Sequence, residues 1–215
     1  MSTRKTPLVT GEIYHVYNRG VDKRSIVGDE FDSERFLKSM VAFNTGCPVL
    51  SLRNAELIYS GSTPVDPLVE VIAYCLNPNH FHLILRQTVD GGVSEFMKRL
   101  SGGYTWYFNN KYERSGSLFQ GRYKSVHVDT NEYLLQLSVY VTLNFRAHDY
   151  ESSIDMNLIR SSWDEYSRKI KRPFCKKDEI LGQFRNKKEY VRFAEQTIIG
   201  IRGRKVLGQE LGSIE

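Results

Sequence analysis

The 215-residue chain predicts an α+β fold, a ferredoxin-like (RRM-like) βαββαβ sandwich built on an antiparallel sheet. Three observations predict it. A stretch that alternates apolar and polar, at 13–20, precedes stretches of helical period, at 32–44 and 93–112. Two runs rich in strand formers, 68–76 and 80–87, are parted only by Asn77-Pro78-Asn79, which reads as a hairpin turn. The resulting order of strand, helix, strand, strand, helix, strand and then a further helix contains two split βαβ units.

The first strand, 13–20, ends on Gly20, and the first helix carries apolar residues at 36, 37, 40, 41 and 43. Residues 53–67 hold turn formers and are expected as an exposed loop. The second helix, 93–112, has Ser94 as its expected N-cap, with Gly102-Gly103 a local weakness. A fourth strand is expected at 121–129, and a third helix at 130–144 with Asp129 and Glu132 spaced as a capping box. Beyond residue 150 the sequence turns basic with a helical pattern. The expected organisation is one domain over 11–150, a basic helical C-terminal appendage over 151–198, and a weakly ordered tail over 199–215.

Composition narrows the classes of function. Hydrophobic residues at 40% and charged ones at 26% are ordinary for a globular chain that buries a core. No apolar run approaches the roughly 20 residues of a membrane span, and the opening residues lack the apolar stretch of an export signal. Cys47, Cys75 and Cys175 are odd in number and lack metal-type spacing, so free thiols in a reducing cytoplasm are expected. The 30 Lys+Arg outnumber the 25 Asp+Glu, and a net charge of +5 suits a polyanionic partner.

His80 and His82 flank Phe81 in the returning strand of the hairpin. Residues i and i+2 of a strand project from one face about 7 Å apart, so two imidazoles can aim at one point while Phe81 faces the opposite layer. Two neutral imidazoles converging in this way supply half of a divalent-metal site. The bland reading is a pair of half-buried, hydrogen-bonded core histidines.

The run Asn77-Pro78-Asn79-His80-Phe81-His82-Leu83-Ile84-Leu85 resembles the His-hydrophobic-His (HUH) motif of single-tyrosine transposases, in particular the REP-associated tyrosine transposases and their insertion-sequence relatives. Residues 14–24 are similar to that family's first strand, 116–129 to its last, 133–144 to its tyrosine helix, and 161–166 to a box that follows. The likeness spans about residues 11 to 195, with one departure: Phe145 stands where the family usually has proline after the helix's asparagine, so the helix end is less sharply stopped. The resemblance implies a nucleophile at Tyr140 and metal ligands His80, His82 and Asn144. It implies Mg²⁺ or Mn²⁺ as cofactor and a 5′-phosphotyrosine intermediate in cleavage and rejoining of single-stranded DNA beside a hairpin. It leaves monomer and homodimer both open.

Spacing agrees on the tyrosine. Gln136, Tyr140 and Asn144 share one helix face, while Leu134, Leu137 and Val141 form a stripe suited to docking on a sheet. Tyr133 has Leu137 one turn on, which ligates nothing. No nucleotide-binding G-x-x-x-x-G-K-[ST] loop is present, in keeping with an exchange of phosphoesters. Expected DNA contacts are Arg19, Lys23 and Arg24 after the first strand, Lys98 and Arg99 on the second helix, and Arg122, Tyr123 and Lys124 at the last strand. Arg114, Trp106 and Tyr107 are further candidates, and His15 and His127 are expected to support ligands or touch DNA. A competing reading keeps the same sheet as a nucleic-acid-binding module that does not cut.

Overall fold

The computed structural model describes residues 7–47, 67–147, 156–168 and 174–206. Strand β1 (Ile13–Arg19) leads to helix α1 (Glu30–Ala42), whose N-cap Asp29 and N3 residue Asp32 form a reciprocal capping box. Strands β2 (Val69–Leu76) and β3 (His80–Gln87) form the expected hairpin, followed by helix α2 (Gly92–Lys111) and strand β4 (Lys124–His127). Helix α3 (Asn131–Thr142) follows, and the short helix α4 (Asn144–Ala147) continues from it after one non-helical residue, Leu143. Strand β5 (Arg160–Ser161), helix α5 (Trp163–Ser167), helix α6 (Asp178–Leu181) and helix α7 (Lys187–Val206) complete the described chain.

The sheet is antiparallel throughout, in the order β4-β1-β3-β2-β5, so the first four strands have the ferredoxin-like arrangement and β5 extends the β2 edge. Strand β5 was not foreseen, being only two residues long. One face packs on α1 and α2 through Tyr14, Val16, Phe81, Leu83 and Leu85. Phe81 meets Phe36 and Phe119 there, with ring centroids 5.4 and 5.6 Å away. A bulge at Val71/Ala73 shifts the alternation of β2, which is why Ile72, Ala73 and Cys75 all belong to the opposite core.

That opposite face carries α3 and the C-terminal region. Ile72, Ile84, Leu137, Tyr166, Ile180 and Tyr190 lie in a single buried cluster, so residues on either side of 150 share one core. The C-terminal region packs as a third layer over the sheet rather than as an appendage beside it. Helix α7 also runs to Val206, through positions expected to be weakly ordered tail from 199, and 207–215 lie outside the described residues.

Three local expectations are corrected. The N-cap of α2 is Gly91 in the left-handed region, φ 66°, not Ser94, and no side chain caps it. The helix runs unbroken through Gly102-Gly103, because a Cβ at Gly103 would lie 2.7 Å from the Phe43 ring; the missing side chain lets α1's end approach. The cap of α3 is Thr130, which accepts from the Tyr133 amide at 3.2 Å, one residue after the expected Asp129. The loop expected at 53–67 lies outside the described residues except for Pro67. Among the described residues no helix is long and apolar enough to cross a membrane.

Candidate active site

Strand register builds the site. Tyr17 pairs with His82, Arg19 pairs with His80, and Lys124 pairs with Tyr17 from the other side. Partners in register share a face, so two histidines, a tyrosine and two cations stand together under α3. They line a cavity of about 650 Å³ with Tyr140, Lys23 and Arg122. Gly20 makes the tight turn after β1 possible, since a Cβ there would lie 2.1 Å from the Arg24 carbonyl. Asp22 and Lys23 then adopt left-handed backbone, φ 55° and 59°, which costs a lysine on the order of 1 kcal/mol and brings Lys23 to the cavity wall.

Helix α3 is buried on nearly every side, between the sheet and α7. Ser138 and Tyr190 share a hydroxyl hydrogen bond of 3.2 Å, and Arg146 pairs with Glu195 at 2.8 Å. Those contacts fix the helix on the sheet with Tyr140 beside the histidines. Its ring stands edge-on to His82 at 5.3 Å and to His15 at 6.3 Å, and the residue is 1% exposed. Tyr133, the rejected competitor on the same helix, does not line the cavity.

His80 is oriented by the turn before it. Asn79 donates through Nδ2 to the Lys23 carbonyl at 3.3 Å, which leaves its Oδ1 facing His80 Nδ1 at 2.6 Å. An oxygen that only accepts requires the proton on Nδ1, so Nε2 carries the lone pair. Asn144 Oδ1 lies 2.9 Å from that nitrogen, and Asn77 Nδ2 lies 2.9 Å from the nitrogen and 2.7 Å from the oxygen. Two lone-pair atoms, His80 Nε2 and Asn144 Oδ1, therefore face a common point. Their spacing fits adjacent donors of an octahedral Mg²⁺ or Mn²⁺ shell, which lie about 3 Å apart. Among the described residues no group of three His, Cys, Asp or Glu is placed to hold a metal.

His82 is oriented by a residue 67 positions away. Its Nδ1 lies 2.9 Å from Nε2 of His15, which is fully buried. Burial pushes the His15 pKa down to about 3, so His15 is neutral. When His82 Nδ1–H donates to His15, His82 Nε2 carries the lone pair a ligand requires. His15 Nδ1 has no partner among the described residues.

Compared with known protein families, residues 66–144 match the model described as "Transposase IS200 like". That stretch is similar to IS200-like transposases. It contains His80, His82 and Tyr140 and ends on Asn144. No curated protein matches the chain. Among solved structures, a REP-associated tyrosine transposase bound to a REP hairpin aligns at 13% identity and TM-score 0.44, over 77% of this chain and 84% of that one. A candidate transposase from Deinococcus radiodurans aligns at 14% identity and TM-score 0.37, over 72% of this chain and 99% of that one.

Within and around residues 66–144, the expected DNA contacts separate into two groups. Arg19, Lys23, Arg122 and Lys124 line the cavity. Arg24 lies beside it, paired with Asp22 at 3.3 Å. Lys98, Arg99 and Tyr123 are not brought to the site. Lys98 and Arg99 lie on α2, behind the sheet, where Arg99 is bound to Glu95 and to the carbonyls of Thr45 and Cys47. Tyr123 packs on the α1/α2 core and donates to Ser94 Oγ at 3.3 Å. Of the further candidates, Tyr107 donates to Asp32, His127 meets Glu12 at 2.7 Å, and Gln136 is exposed away from the cavity lining.

Three residues of the site went unnoticed in the sequence. Tyr17 lies nearly parallel to His15 and His82, with centroids 4.8 and 5.6 Å away, and Lys124 Nζ stands 5.8 Å from its ring. The alternation 15, 17, 19 opposite 80, 82 was the signal that could have found it. Gln120, which accepts from Arg19 Nε, lies on a turn and carries no periodic signal. Asn77 reads as a turn former, and nothing local points to its partner Asn144.

Proposed function

We propose that this protein cleaves and rejoins single-stranded DNA through a covalent 5′-phosphotyrosine formed on Tyr140, beside a hairpin in the substrate. The observation that supports the reading is that Tyr140, His80 and His82 line one cavity with Arg19, Lys23, Arg122 and Lys124. The four cations would hold the phosphates of an unpaired strand and keep the scissile one against the phenol. A divalent cation held by His80, His82 and Asn144 would supply charge neutralisation at a non-bridging phosphate oxygen.

The exchange balances without an external energy source. The Tyr140 oxygen bonds to phosphorus, the bond from phosphorus to the 3′ oxygen breaks, and the phenolic proton is replaced by one on the released 3′-hydroxyl. A 3′-hydroxyl attacking the phosphotyrosine reverses those changes and restores the phenol. Holding the scissile phosphate against the Tyr140 oxygen would supply the positional part of the rate.

A second reading, a binding module that does not cut, draws on the burial of Tyr140, which is 1% exposed. One experiment separates the two. Incubation with hairpin-bearing single-stranded DNA and Mn²⁺ should give a protein–DNA adduct on a denaturing gel. Binding without any adduct would favour the module.

A further inference from the structure

We propose that Asn77 is an additional cation-binding residue of this site, one that clasps the metal-free donors with its amide nitrogen and ligates the cation with its amide oxygen. The proposal rests on the metal reading above and deepens it.

Asn77 is fully buried at the entry to the hairpin turn. Its backbone amide donates to the His80 carbonyl at 2.8 Å, and the Pro78 carbonyl accepts from Ile26 and Val27. The turn is thus fixed from outside, and the Asn77 side chain is held against the two donors. Its Nδ2, His80 Nε2 and Asn144 Oδ1 form a triangle with sides of 2.7, 2.9 and 2.9 Å. Three donor positions at those separations span one triangular face of an octahedral shell, whose edges are about 3 Å.

In the triangle as it stands, the two hydrogens of the Asn77 amide serve the two lone pairs. Without them, His80 Nε2 and Asn144 Oδ1 would repel each other in a buried place. An amide nitrogen does not ligate a cation, but a half-turn of the carboxamide puts Oδ1 where Nδ2 was. The other end of the amide faces Cys75 Sγ at 3.6 Å. A thiol is both a weak donor and a weak acceptor, so it tolerates either orientation. The half-turn therefore exchanges one satisfied arrangement for another: hydrogens toward the lone pairs when the site is bare, a third oxygen or nitrogen donor toward Mg²⁺ or Mn²⁺ when it is filled.

Mn²⁺ affinity measured by loss of the free-ion electron paramagnetic resonance signal, on full-length protein without DNA, tests this. Asn77→Asp keeps the oxygen and adds charge, and should bind Mn²⁺ more tightly than wild type. Asn77→Ala should bind about 10-fold more weakly. Should Asn77→Asp weaken Mn²⁺ binding as Asn77→Ala does, Asn77 is only a hydrogen-bond clasp and the proposal fails, while the metal reading stands. If the wild type binds no Mn²⁺, both fail together. A readout independent of variant folding is the side-chain amide resonance of Asn77 in ¹⁵N-labelled wild type. Saturating Mg²⁺ should move it from a doubly hydrogen-bonded to a released shift; an unmoved resonance would overturn the proposal.

Discussion

The ring of Tyr140 stands edge-on to the ring of His82, 5.3 Å between centroids and 81° between planes. The contact uses the ring, and Tyr140→Phe keeps the ring while removing the oxygen. Stability should change by no more than about 1 kcal/mol. The denaturing-gel adduct should disappear completely, with hairpin DNA still retained in a binding assay. An adduct that persists in the variant would remove Tyr140 as the nucleophile.

Asn144 begins α4 at the point where α3 has ended, and its Oδ1 meets His80 Nε2. Asn144→Ala should lower Mn²⁺ affinity by about 10- to 100-fold, measured by calorimetric titration. Retention of single-stranded DNA in the absence of metal should be little altered, since the cavity's cations are untouched. An unchanged Mn²⁺ isotherm would end the ligand role of Asn144.

How much of this was legible depends on the range over which each signal acts. The projection of His80 and His82 from one face follows from period two alone, and the structure places them so. The return of Asn144 to that face also follows from i+4 spacing, although the helix breaks at Leu143. What was hidden lies in pairs distant in sequence: His15 with His82, and Asn77 with Asn144, each 67 positions apart. Lys98 and Arg99 were assigned to DNA because charge is visible in sequence and the layer a helix packs on is not. The Thr130 cap was missed by one residue because Asp129 and Thr130 are both good caps, and only backbone geometry chooses between them.

The far layer supplies a prediction about acid stability. Burial works against the Asp32 carboxylate, but bonds from Lys111, Tyr112, the Gly28 amide and Tyr107 outweigh it, and the pKa is held below the ordinary value. A depressed carboxylate contributes stability that is present above its unfolded pKa, about 3.9, and is lost as pH falls through the folded value. Asp32→Asn should therefore cost about 2–3 kcal/mol at pH 7 and progressively less below pH 4. Urea unfolding at pH 7 and pH 2.5 measures both. Parallel losses at the two pH values would show that the cost lies in packing and not in charge.

Arg122 and Arg99 separate a DNA-contacting cation from a structural one. Arg122 is exposed on the cavity wall, whereas Arg99 is tied to Glu95 and two backbone carbonyls. A cation that neutralises one phosphate of a single strand adds about 0.7 to the slope of log K against log salt. Arg122→Ala should weaken binding of single-stranded DNA and flatten that slope by about this amount. Arg99→Ala should leave the slope unchanged and instead lower thermal stability, because the bonds to Glu95 and to two backbone carbonyls go with it. Fluorescence anisotropy of a labelled oligonucleotide across a salt series reads the first effect, and a melting curve reads the second. A flattened slope for Arg99→Ala, with none for Arg122→Ala, would move the DNA path from the α3 face of the sheet to the α2 layer. His80 and Tyr140 would then no longer lie where the strand runs.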